Sequence, residues 1–413
     1  MRVLTQLHGR TNPAGRNLAI LGAYCLFLSA IEYMIPKPLP FFRIGLAHLP
    51  LILAVDIFPL RTFLVLVCIK VFGQALITGT LFSYIFLFSI AGTFFSAMFM
   101  YALRRIFGRE RITFAGIGVA GAMVSSAAQL MIAQVFMFGE SARYIAPPLL
   151  AAGLFTGIVL GIFCEAFTRY SKWYQKLITG NMEEGAENIF QGAESRERGI
   201  ENSEQRILNR RGFYESFFSA KALFITGFLI IPALLFNPST EYRCFQFLFF
   251  WFLVWLSGKK INVLLTLLII FMIVAFNLII PYGRVLFSIG PFRITSGALE
   301  AGIHRAVTFE ALIMLSKICI RNDLKIPGSF GKLLCESLRI FSVLMNRKYK
   351  ESSTKFSFRR IGKNIIPEID KFMMELNREE RLPSAVHKIK TKPAGFIILI
   401  ILIVLSWLPW IFI

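Results

Sequence analysis

Lys70 and Gln74 stand one helical turn apart inside an otherwise apolar run, Thr62 to Thr78. Residues four apart share a helix face, and a charge at membrane depth is costly enough that it faces a cavity or a partner. Such a pair could hold a ligand bearing a carboxylate or a phosphate. Arg43, His48 and Asp56 flank or enter the shorter apolar run before it, and Gln129 and Gln134 lie in a later one. Lys70, Gln74, Arg43, His48 and Gln129 are therefore the candidate substrate-binding residues. The competing reading of Lys70 is structural, its ammonium reaching an interface or pairing with Asp56 or Glu32. Glu165 reads as a helix end. Ala19 and Ala23 are four apart with Gly22 beside them, a spacing that lets helices approach closely where van der Waals contact drives association in lipid.

Other chemistry is missing. The aspartates are Asp56, Asp323 and Asp370, so there is no paired-aspartate magnesium motif for a diphosphate. His8, His48, His304 and His387 are scattered and form no zinc motif. Gly328-Ser329-Phe330-Gly331-Lys332-Leu333 has its glycines too close for a phosphate loop, and Leu333 replaces the hydroxyl that would hold magnesium. No G-x-S-x-G occurs. The six cysteines include no C-x-x-C pair and read as small buried hydrophobes. The chain carries no catalytic constellation, no cofactor is expected in it, and energy for uphill work would have to come from an ATPase on another chain.

The elements that must position these residues are membrane helices. The chain is 56% hydrophobic and 17% charged over 413 residues, far from the roughly 25% charged of soluble domains. Its net charge of +21 does not point to nucleic acid, because the Lys and Arg residues cluster at the ends of apolar runs, as the positive-inside rule requires. A crossing needs about 20 apolar residues. Six candidates fill the first half: Leu18 to Ile35, Ile44 to Phe58, Thr62 to Thr78, Leu81 to Leu103, Ile112 to Phe138 and Tyr144 to Phe167. The second is short, tilted or buried among its neighbours. Arg10 and Arg16 precede the first, Arg104, Arg105, Arg109 and Arg111 follow the fourth, and Arg169, Lys172 and Lys176 follow the sixth. An even number of crossings separates these clusters, so all face the cytoplasm. The first run carries Glu32 and ends at Pro36 without a cleavage site, and reads as a retained helix.

Residues 171–215 are rich in Glu, Gly, Asn and Arg and poor in large apolar residues, the composition of a flexible or partly helical cytoplasmic linker. It divides the chain into 1–170 and 216–413. The second part has apolar runs at Phe217 to Phe236, Tyr242 to Leu256, Ile261 to Ile280, Ile294 to Ile320 and Ala394 to Ile413, with a loop at Pro281-Tyr282-Gly283-Arg284. Between the last two, Phe330, Leu333, Leu334, Leu338, Phe341 and Met345 recur at helical spacing among charges, and Ile361, Ile365, Ile369, Phe372 and Leu376 do so again. Those two amphipathic helices are too polar to span.

Arg43-Ile44-Gly45-Leu46-Ala47-His48, Lys70-Val71-Phe72-Gly73 and the glycine-rich Ala115 to Gly121 give residues 16 to 170 a resemblance to the Gx transporter family, also described as heptaprenyl diphosphate synthase component I. That family is similar to the substrate-binding S components of energy-coupling factor (ECF) transporters. The resemblance implies a six-helix S-like bundle whose first helix meets a coupling subunit through Ala19 and Ala23. The second half, with Leu286 to Leu299 as its best stretch, resembles the T component of the same transporters, whose long amphipathic helices rest on paired ABC-type ATPases. That family ends its coupling helices with Ala-Arg-Gly or Ala-Arg-Ser, and neither triplet occurs in the second half. Arg378 and Arg381 are the nearest basic residues at the end of the second amphipathic segment.

The expectation is an all-α polytopic membrane protein, an S-like bundle fused to a T-like module of about five transmembrane helices with two amphipathic coupling helices. It would act in the inner (cytoplasmic) membrane as a non-enzymatic importer component, binding a small vitamin-like or anionic substrate and using ATPase subunits in trans. The alternatives are an accessory subunit of a heptaprenyl diphosphate synthase and a non-transporting scaffold.

Overall fold

Small polar caps set where several apolar runs become helices. Thr113, Ser219, Ser239 and Asn262 each precede a helix and accept, through a side-chain oxygen, from the backbone N–H of Gly116, Ala222, Tyr242 and Leu265, satisfying donors the helix leaves open. Gly79 ends another helix in the left-handed conformation at φ 65° and ψ 35°, which glycine adopts without steric cost.

The computed structural model describes residues 13–34, 45–179, 214, 217–237, 239–259, 261–289, 292–321, 324, 326–352 and 393–408. The protein is an all-α multi-pass membrane protein with one small hairpin. The first bundle consists of α1 (Pro13–Met34), a 3-10 turn (Leu46–His48) running into α2 (Leu49–Ala54), α3 (Leu60–Thr78), α4 (Tyr84–Arg111), α5 (Phe114–Ala133) ending in a π turn (Gln134–Phe138), and α6 (Ala142–Tyr170). A short α7 (Lys172–Thr179) follows and buries Trp173 and Tyr174. Leu60–Thr78, Tyr84–Arg111 and Phe114–Tyr170 are long and apolar enough to cross a membrane. The last is two helices, because the chain turns at Gly139 with φ 54° and ψ −136°. Large apolar side chains such as Phe95, Phe155 and Leu264 stand exposed, as lipid-facing positions do.

The second element is shorter than its apolar run. The 3-10 turn and α2 together cover about 14 Å, under half of a bilayer core of about 30 Å. Asp56, just beyond α2, accepts from Arg104 Nε at 2.8 Å and Arg104 Nη2 at 2.6 Å, near the end of α4, and Arg109 Nε lies 3.3 Å away. This bidentate pair ties α2 and α4 together at the arginine-rich end of the bundle. It also removes Asp56 as a partner for Lys70.

The second bundle consists of α8 (Ala220–Leu235), α9 (Thr240–Leu256), α10 (Val263–Leu278), a hairpin of β1 (Val285–Ile289) and β2 (Phe292–Thr295), α11 (Ser296–Cys319), the amphipathic α12 (Gly328–Ser352) and α13 (Pro393–Trp407). The hairpin pairs antiparallel, Phe287 opposite Ile294 and Ile289 opposite Phe292, and corrects the expectation of a loop leading directly into a helix at Ile294. A short apolar run beside Gly290-Pro291 is too brief for a helix and satisfies its backbone as a strand pair. α11 is the post of this bundle: every residue from Ala306 to Ser316 is buried. Its basic end is fastened by Lys259 Nζ, which donates to the backbone oxygens of Lys317 and Ile320, by Tyr214 Oη on Ile318 O at 2.6 Å, and by Arg321 Nη1 on Phe218 O at 2.6 Å. α13 is tied to α8 and α9 by Tyr242 Oη on Leu405 O at 2.7 Å and Trp407 Nε1 on Leu229 O at 3.1 Å.

Candidate functional site

Glycine makes the site possible. Toward the arginine-rich end α5 and α6 touch backbone to backbone: a Cβ on Gly118 would lie 2.8 Å from Gly157 O, and one on Gly161 only 2.5 Å from Ala115 Cα. Further along, the helices leave a slot of about 30 Å³ bounded by His48, Met100, Ser125, Ser126, Gln129 and Thr156. Gln129 is buried and donates through Nε2 to Ser125 Oγ at 2.9 Å. A water needs about 10–15 Å³ and small-molecule sites run to about 300–1,000 Å³. The slot therefore has room for water and not for a ligand of that size, which would fit only if the walls moved apart.

His48 and Gln129 thus meet at one cavity. Lys70 and Gln74 do not line it. Lys70 is 1% exposed, lies beside Cys25 of α1, and donates from Nζ to Thr93 Oγ1 of α4. Gln74 is half-buried one turn further on. α4 separates the two sets: Thr93 turns to Lys70, whereas a Cβ on the adjacent Gly92 would lie 2.9 Å from Gln129 Nε2. Arg43, Arg378, Arg381 and the second amphipathic segment lie outside the described residues.

Two of the contacts that join the bundles involve α12 and α11. The first is α12 against α1 and α3. Ala19 and Ala23 are buried, and a Cβ on Gly22 between them would stand 2.8 Å from both Ser337 Oγ of α12 and Ile69 Cγ2 of α3. Phe330 of α12 meets Phe72 edge-on with centroids 6.0 Å apart. The second is the far end of the first bundle against α11. Gly139 lies at Arg305, Tyr84 stacks on Phe309 at 6.2 Å, Phe82 N donates to Ser316 Oγ at 3.0 Å, and Gly79 lies against Lys317. These contacts run from position 305 to 317, about 18 Å along the α11 axis. Two bundles standing side by side would touch α11 with their far ends only near its start. The bundle axes are instead crossed.

The sequence reading passed over Ser125, Ser126 and Thr156, which needed only the rule already applied to Gln129: polar groups on one face of an apolar helix mark a lined space. The same rule, carried into the second half, finds Asn277, Arg305 and Glu310, each buried or half-buried between helices.

Comparison with known proteins bears on each half separately. No curated protein and no solved structure matches the chain. Residues 220–322, from α8 to the end of α11, match a domain of unknown function, DUF8519. Residues 21–167, which hold the slot, match the family model of heptaprenyl diphosphate synthase component I.

Proposed function

We propose that the chain is the membrane part of an ECF-type ABC importer in the cytoplasmic membrane, an S-like bundle and a T-like module fused in one polypeptide, with ATPase subunits supplied in trans. The observation that carries this reading is α12, a helix too polar to span that lies on the small-residue face of α1 at Gly22. A polar helix seated on a membrane bundle is suited to receive a push from soluble subunits and pass it to the bundle it touches. The crossed axes support the same reading, because a bundle lying across α11 can change its exposure to the two sides of a membrane by rotating about that contact. The ligand is a small molecule held by His48 and Gln129, with Lys70 and Gln74 supporting the wall between α3 and α4. Fusion fixes the two halves at one to one and keeps their effective concentration high.

The test is native mass spectrometry of the detergent-solubilised chain taken from its own host. Co-purification of two ATPase chains with a small bound mass is the expected result, and a chain that arrives alone and empty overturns the reading. The description of the matched family favours a second one, an accessory subunit of a prenyl diphosphate synthase. Prenyl transfer that depends on this chain, without any ATPase, would select it.

A further inference from the structure

Three consecutive residues of the α5–α6 corner are gripped by the second bundle. Asn277 Nδ2 of α10 donates to Met137 O at 2.9 Å and also to Ile273 O at 2.7 Å. Phe138 meets Phe276 edge-on with centroids 5.5 Å apart. Gly139 has the guanidinium of Arg305 so close that a Cβ would stand 2.8 Å from Nη1, and Arg305 Nη1 donates to Asn277 Oδ1 at 2.7 Å. Met137 lies in the last turn before the corner, where a helix leaves its carbonyls without partners of their own and open to a side chain from elsewhere. Gly139, at φ 54°, then reverses the chain where a Cβ would meet both backbone strain and Arg305.

The slot lies further along the same two helices: its lining residues nearest the corner are Gln129, eight residues before Met137, and Gly153, fourteen residues after Gly139. The helices also touch along the slot, at Gly118, Gly153, Gly157 and Gly161. The corner is the turn that joins these two walls, so a corner held fast limits how far they can part. We propose that Asn277 and Arg305 are positioning residues that fix the α5–α6 corner, so that the spread of the two helices walling the His48–Gln129 slot, and with it access to the slot, is set by the second bundle. This rests on the slot being the ligand site but requires neither ATPases nor a known ligand.

The test uses the full-length chain in lipid nanodiscs, with S126C as a reporter and N277D as the perturbation. Aspartate still accepts from Arg305 and no longer donates to Met137 O. Labelling of position 126 by a small methanethiosulfonate reagent, read by peptide mass spectrometry so that native cysteines do not interfere, should accelerate about tenfold, the scale of one lost buried hydrogen bond. Amide exchange across 134–143 should accelerate similarly, with 60–78 and 220–235 unchanged. Unchanged labelling overturns the proposal, as does faster exchange throughout the chain. If N277D does not fold, R305K, which keeps the charge and loses the fork, is read by the same two measurements. Absence of ATPase binding would remove the importer reading and leave these rates untouched.

Discussion

The α5–α6 seam and the α11 post hold their bundles together in opposite ways. At the seam, glycines bring backbones together, nothing fills the space further along, and the outer faces carry exposed apolar residues such as Phe155. Around α11, side chains fill every side for three turns, and the helix is covered by α8, α9, α10 and the end of the first bundle. A contact made of backbone has little room to gain atoms, and a contact made of large side chains has little room to lose them. The difference assigns rigidity to the second bundle and leaves the first with less side-chain packing to resist a change at the seam.

Substitutions can break or sharpen that contrast. The largest expected effect is F309A: Phe309 is fully buried and stacked on Tyr84, and truncation should cost about 4 kcal/mol, seen as a large fall in the thermal midpoint of the purified protein. Adding one methyl at the seam, G161A, should cost about 2 kcal/mol, because it meets backbone that cannot turn aside. A neutral G161A would mean that the seam is loose and would erase the distinction. Q129A removes the hydrogen bond to Ser125 and should cost only about 1 kcal/mol of stability while lowering ligand retention more steeply, which separates a binding group from a packing group. The smallest effect is R339A on α12. Its partner Glu336, three residues away at 2.7 Å, is exposed, so stability should stay within about 0.5 kcal/mol of the parent, whereas ATP-driven uptake should fall if α12 receives the ATPases.

Much of the helical layout was legible because a membrane helix must be apolar for its whole length. The runs Thr62 to Thr78 and Tyr144 to Phe167 became helices with ends shifted by at most three residues. The hairpin at Val285–Thr295 was hidden because a short apolar run has no period to separate strand from helix. At the site, sequence spacing identifies a face and not its neighbour. Lys70 and Gln129 look alike along the chain, both polar groups in apolar runs. Which one borders the slot depends on Thr93 and Gly92 of α4, adjacent residues facing opposite ways. Asn277 could have been flagged by type, but its bond to Met137 O joins positions 140 apart, and no local pattern announces such a pair.

The crossed bundles have a consequence for how the chain is made. The face of the first bundle that ends against α11 is complete when residue 179 has been synthesised, and α11 ends at Cys319. At ribosomal speeds of about 5–20 residues per second, about 7 to 28 s separate the two. During that interval the first six elements must survive in the bilayer as a half-protein, with the Met137 carbonyl and the flank of Tyr84 still waiting for their partners. The first bundle therefore has to be stable enough to stand alone and must settle across α11 only after translation has moved past it. Folding of this chain ends with a docking step between two finished parts.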